Sequence, residues 1–332
     1  MGKFIKLLLG ITLVVVVVLA VAVVGALLYF DPNEHKDFIV SKVEKATGRS
    51  FAIEGNIDLT YYPWLGLEAD GITMGNAKGF GDKLFVHADK MALRIKTMPL
   101  LRKTYELDTF RLHGLQLNLA KNKGGVTNWQ DLTGEPEGGK PKKGEPIQLA
   151  AVILGGVDVK DGNITWQDQA TGQNITISDL NMTTGELTYG APIDLKVGMK
   201  ASANKPALKS DLKLNGTLNY NLDSEIYSFK PIDLLATLSG PNVPGGSTDL
   251  KFNAAVETNL DKDTATISDL SLDVLGTSIK GEMSASDIQS GKPEAEGQLE
   301  VTGKDLAQLL KLLEIPSASA IAAQPDRSFD IR

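Results

Sequence analysis

The sequence predicts a mainly β protein: an N-terminal transmembrane helix, a short amphipathic helix, and then an elongated, mostly antiparallel sheet. Three observations predict it. The first thirty residues hold a long apolar run without a charge. From Phe51 the apolar period changes from 3.6 to 2, and that two-residue alternation returns along the chain as far as Val256. Helical periodicity after residue 30 is confined to two short stretches.

From Leu7 to Phe30 no side chain is charged. As a helix this run is roughly 36 Å long, enough to cross a ~30 Å hydrocarbon core with some tilt. Lys3 and Lys6 precede it and Asp31 and Glu34 follow it, so the positive-inside rule predicts a cytoplasmic N-terminus with the bulk on the far side. Tyr29 and Phe30 fall where interfacial aromatics belong. A cleavable signal peptide, formally allowed by Ala20-Val21-Ala22, fits less well, because the run is too long.

Asp31-Pro32-Asn33-Glu34 reads as an N-cap with Pro at the first helical position. Phe38, Ile39, Val43 and Ala46 share one face, and Gly48 stands where a left-handed C-cap is expected. The other face mixes Lys36, Asp37, Lys42, Glu44 and Lys45, which favours a helix capping the sheet over one lying on a bilayer. Alternating strands follow at 51–61, 91–95, 193–199, 212–222 and 250–256. Four times the alternation skips a residue: Ala69 to Ile72, Leu112 to Leu115, Ile177 to Leu180 and Ile267 to Leu270. An uncorrected skip turns every later side chain to the wrong face, so each predicts a bulge or bend. Ile-Ser-Asp-Leu at both 177–180 and 267–270 suggests a degenerate internal repeat.

The expected organisation is 1–30, cytoplasmic tip and membrane span; 31–49, capping helix; 50–133, first β-unit; 134–147, a Pro/Gly-rich linker; and 148–332, second β-unit with a short helix at 304–313. Ser328-Phe329-Asp330-Ile331-Arg332 reads as a strand beginning, with continuation beyond it expected.

Two short helices cannot cover so much alternating strand. The sheet therefore closes as a β-sandwich or a barrel, or stays open as a curved apolar groove covered by something else. With a membrane anchor at one end, acyl chains are the natural cover. The candidate lipid-contacting residues are Ile53, Ile57 and Leu59 in the first β-unit and Leu195, Val197, Leu212, Leu214, Leu218, Phe252 and Val256 in the second. Tyr61, Tyr62 and Trp64 form a candidate membrane-proximal aromatic lip, with a packed strand end as the plainer reading.

The chain has no cysteine, which excludes disulfides and thiolate chemistry. Net charge is −7 without a basic stripe, which argues against nucleic acid. His35, His87 and His113 lack partners at ligand spacing, so neither a metal nor another cofactor is expected. Asn259 to Asp263 resembles a calcium loop only faintly, since Thr264 replaces the required Gly. No G-x-S-x-G, Walker or dinucleotide motif occurs, and no catalytic residue is proposed.

Several motifs occur in order over residues 1–135: Thr47-Gly48-Arg49, Tyr62-Pro63-Trp64-Leu65-Gly66-Leu67, Gly75-Asn76-Ala77-Lys78-Gly79-Phe80, Met98-Pro99-Leu100-Leu101 and Thr127-Asn128-Trp129-Gln130-Asp131-Leu132. In these the chain resembles the AsmA family. The resemblance implies a single-pass protein of the cell inner membrane with its bulk in the periplasm, acting in outer-membrane biogenesis. It also implies similarity to bridge-like lipid-transfer proteins, which favours the open, curved groove over the sandwich. The leading expectation is binding or conduction of phospholipid, at ~0.8 kcal/mol per buried CH₂. The alternative is a non-enzymatic assembly factor for outer-membrane proteins, acting through contacts with other envelope assembly proteins and recruiting them at open sheet edges. A hydrolase ranks last.

Overall fold

The computed structural model describes residues 31–60, 64–101, 105–133, 152–188, 190–221, 223–290, 292–303 and 327–331. The chain divides into two compact units, Met1–Asn181 and Met182–Arg332.

The first unit opens with helix α1 (Lys36–Thr47) and continues with β1 (Phe51–Ile53), β2 (Ile57–Thr60), β3 (Trp64–Met74) and β4 (Val86–Lys96). A short helix α2 (Thr97–Leu101) leads to β5 (Tyr105–Leu107), β6 (Phe110–His113) and β7 (Gln116–Lys121). Strands β8 (Val152–Leu154), β9 (Val157–Asp168) and β10 (Gln173–Thr184) follow, and the division between the units falls within β10. Strand β3 is the hub. It pairs antiparallel with β1 and β2 on one side and with β4 on the other. Its alternate residues Leu65, Leu67 and Ala69 meet Ile95, Leu93 and Met91 of β4, and most of these are buried core. Phe85, Leu107, Phe110 and Leu119 complete that core. Not all pairing is antiparallel: β5 runs parallel to β8, and β6 and β7 run parallel to β9. The return this requires is made by the connection after β7, whose described part carries the 3-10 turn Gln130–Thr133.

The second unit is a run of antiparallel neighbours: β11 (Ile193–Asn204), β12 (Ala207–Asn221), β13 (Ile226–Ser239), β14 (Ser247–Asn259), β15 (Thr264–Val274), β16 (Thr277–Ser286), β17 (Glu294–Gly303) and β18 (Arg327–Ile331). Among its described residues each strand pairs with its sequence neighbours, in one continuous antiparallel run.

The four skips in the alternation are bulges or bends. The second residue of each skipped pair has positive φ: Gly71 (64°), Gly114 (61°), Asp179 (53°) and Asp269 (53°). Gly and Asp are the residues that tolerate this conformation. Gly114 is also held by space, since a Cβ there would lie 1.8 Å from an Asp89 carboxylate oxygen.

The predicted N-terminal transmembrane helix requires correction. Among the described residues no helix is long and apolar enough to cross a membrane. Helix α1 has 12 residues, about 18 Å at 1.5 Å each, and it carries five charged side chains along that length. Helix α2 has five residues. The run 7–30 lies outside the described residues, as do the linker 134–147 and the helix expected at 304–313. Single-pass anchoring in the inner membrane, with a cytoplasmic N-terminus and a periplasmic bulk, loses its structural footing with the helix. The helix start also differs from expectation. Asp31 closes a turn by accepting from the Asn33 N–H at 2.9 Å, and α1 begins only at Lys36. Its end is as expected, with Gly48 left-handed at φ 69°.

Candidate functional site

The apolar alternation of the second unit assembles into rungs that run across the strands. One rung is Ile193–Leu218–Phe229–Val256–Ile267–Met283. A second is Val197–Leu214–Leu234–Phe252–Leu272–Ile279–Val301. Between them lie Leu195, Gly216, Ile232 and Ala254, and beyond them Met199, Leu212, Ala236, Leu250 and Val274. Register alone puts all of these on one face. Seven of the sequence candidates, Leu195, Val197, Leu212, Leu214, Leu218, Phe252 and Val256, are thereby neighbours. Most are half-buried, and Leu218 is 40% exposed. Sequence reasoning missed Leu234, Leu272, Ile279 and Val301 on the second rung and Ile232 between the two. Strand pairing, which spacing does not reveal, brings them in.

The remaining candidates lie in the first unit. Ile57 is a core residue, 2% exposed and opposite Ala69, while Ile53 and Leu59 are half-buried opposite Ile72 and Leu67. Tyr61 and Tyr62 lie outside the described residues. Trp64 opens β3 opposite Lys96, whose ammonium sits 5.7 Å from the ring centroid and pairs with Glu106 at 2.9 Å.

A polar constellation in the first unit was quoted from the sequence without a role. Arg49, buried just after the α1 cap, donates through Nε to Asp131 Oδ2 at 3.0 Å and through Nη2 to the Asn128 carbonyl at 2.7 Å. Its guanidinium lies 4.5 Å from the Phe85 ring centroid. Asn128, with no exposed surface, accepts from the Ala120 N–H and donates to the Asn118 carbonyl and to Asn76 Oδ1, each at 2.8 Å. Asn76 in turn accepts from the Ala77 N–H at 3.0 Å. Three of the quoted motifs thus meet at one point. These bonds tie parts of the protein to one another, while Arg49 Nη1 is buried without a hydrogen-bond partner.

Electrostatics elsewhere is similarly structural. Asp168, at the end of β9, accepts from the Ala170 and Thr171 N–H groups at 2.8 and 3.2 Å, with Lys121 3.4 Å away. The Ala170 and then the Thr171 N–H hold its carboxyl below the usual carboxylate range, and Lys121 adds to the effect. A depressed folded pKa means stability that is present above the unfolded value, about 4, and fades as pH falls through the folded one. Asp168→Asn is therefore expected to flatten the acid limb of a stability-against-pH curve below about pH 4. Urea midpoints measured from pH 2 to 7 check this, and an unchanged limb counts against it.

Among the described residues no three His, Asp or Glu side chains converge as a metal site. The first unit is a closed core with a buried polar knot. The second is an antiparallel sheet with one apolar face.

The chain belongs to the AsmA family, whose model matches residues 1–308. This family is non-catalytic, and the protein is not an enzyme. Membership ties it to envelope and lipid handling. Comparison with curated proteins and with solved structures finds no match. The leading expectation, an inner-membrane-anchored phospholipid conduit, is corrected with its anchor. The alternative, which needs no span, fits better.

Proposed function

We propose that the protein is a non-enzymatic assembly factor for outer-membrane proteins that works through protein–protein contacts on the apolar face of its second unit. The observation that carries this reading is the set of half-buried apolar rungs that strand register brings onto one face of the second unit. An acyl chain is apolar all round, so on an open floor it keeps one side in water. An amphipathic strand is apolar on alternate residues only, and it turns its polar side chains outward. Strands of membrane β-barrels have that alternation. Rung positions repeat every two residues along each strand, which is the spacing such a segment presents.

The test adds an unfolded outer-membrane β-barrel protein to the full chain and measures suppression of its aggregation. Leu214→Asp with Leu234→Asp places two charges on directly opposed rung positions. This pair is expected to abolish suppression while far-UV circular dichroism stays unchanged. Stoichiometric phospholipid on the purified chain, without suppression by the unsubstituted protein, would make membrane lipid the occupant and overturn the reading.

A further inference from the structure

Strands β1 and β2 form an edge of the first unit. They pair with β3 on one side, and their other side faces α1 and the turn before it. An exposed edge presents unpaired N–H and C=O groups that template pairing with another chain. Here four of those groups are taken by side chains. Asn33 Oδ1 accepts from the Ile57 N–H at 3.0 Å, and Asn33 Nδ2 donates to the Ile57 carbonyl at 2.9 Å. This is the double exchange that a residue of a neighbouring antiparallel strand makes. Lys36 Nζ donates to the Gly55 carbonyl, and Glu44 Oε1 accepts from the Phe51 N–H at 3.1 Å. Three side chains thus stand in for a strand along Phe51, Gly55 and Ile57.

The element doing this is lightly held. Val43 is the only buried residue of α1, and Phe38 is 59% exposed. The buried Arg49 pins the chain just beyond the left-handed Gly48, so the clasp rests on Asn33, Lys36 and Glu44 more than on a packed helix face.

We infer that α1 with its preceding turn is an edge guard: by imitating a neighbouring strand it keeps β2 from pairing with β2 of a second copy of this chain. The partner is a second copy because an antiparallel β2–β2 contact is self-complementary about a two-fold axis, so one exposed patch suffices for both sides. The backbone alternation continues the acceptor row, since two residues past Ile57 the Leu59 N–H and C=O also point away from β3.

The experiment compares full chains by sedimentation velocity under one set of conditions. Asn33→Leu with Lys36→Ala removes three of the four clasp bonds without adding charge. Its self-association constant is expected to rise about tenfold or more over the unsubstituted chain, a step of ~1.4 kcal/mol. Adding Leu59→Pro is expected to reverse that gain. Proline there removes an outward N–H, blocks the edge and leaves the β3 pairing intact. Unchanged association, or association that Leu59→Pro leaves untouched, overturns the guard. If the double variant does not fold, Asn33→Asp replaces it. That substitution keeps the bond from the Ile57 N–H and loses the one to its carbonyl, and the same two readings apply.

Discussion

Asn128→Ala is expected to lower the stability of the first unit by about 3–5 kcal/mol, because three hydrogen bonds vanish and their partners stay behind. The Asn128 side chain links the Ala120 N–H, the Asn118 carbonyl and the Asn76 carboxamide. Its side chain has no exposed surface, so water does not replace it without entering the core. An orphaned buried donor or acceptor costs about 1–3 kcal/mol, far more than the net value of the bond that satisfied it. Asn128→Asp is expected to do no better, since it keeps one acceptor, loses both donors and adds a charge. Urea titration followed by Trp129 fluorescence, whose ring sits 5.6 Å from Trp166, reads the change. A loss below about 1 kcal/mol would mean that the knot is wetter or looser than its geometry.

Gly281→Ala is expected to be nearly as damaging, at about 3–4 kcal/mol in the second unit. Gly281 has φ +154°, and a Cβ there would lie 2.0 Å from the Gln298 carbonyl oxygen of β17. That neighbour is backbone, so it yields only by moving the strand. The Gly281↔Leu299 pair would open, and with it the registered pairs on either side. Gly198→Ala is the control. It sits on β11 with nothing within 4 Å of an added Cβ, and it is expected to be neutral. Equal effects at the two positions would point to a general intolerance of β-carbons and not to the close strand approach.

What was legible in the sequence was whatever repeats locally. The alternation from Leu212 to Leu218 placed those side chains on one face because β geometry has a period of two wherever it occurs. Asp70-Gly71 and Ser268-Asp269 announced their bends because a phase slip and a residue tolerant of positive φ stood together. Lys230-Pro231 makes the same skip between Phe229 and Ile232 and went unnoticed, because proline does not signal a left-handed backbone. Arg49 was opaque for another reason. Its partners lie 79 and 82 residues away, and no periodicity links a buried cation to a carboxylate at that distance. Asn33 was misread because Asp31-Pro32-Asn33-Glu34 is a sound helix start by itself. Its carboxamide instead serves a strand 24 residues on.

The bulges carry a consequence for how such a chain can change length. In the second unit two bulges, between Phe229 and Ile232 of β13 and between Ile267 and Leu270 of β15, slip the register against both neighbouring strands, and register pairing aligns them across β14. They act as a shared reading frame for the sheet. Deleting Asp269 removes the extra residue and leaves Leu270, Leu272 and Val274 in phase with Ile267, whereas deleting Ser271 would send Leu272 and Val274 to the solvent side and bring Asp273 onto the rungs. A one-residue change away from a bulge turns every later side chain of that strand to the other face unless a new bulge absorbs it. A whole added hairpin, entering with its own bulge on the line, disturbs no phase. Sheets of this kind therefore grow or shrink by paired strands, and rarely by single residues.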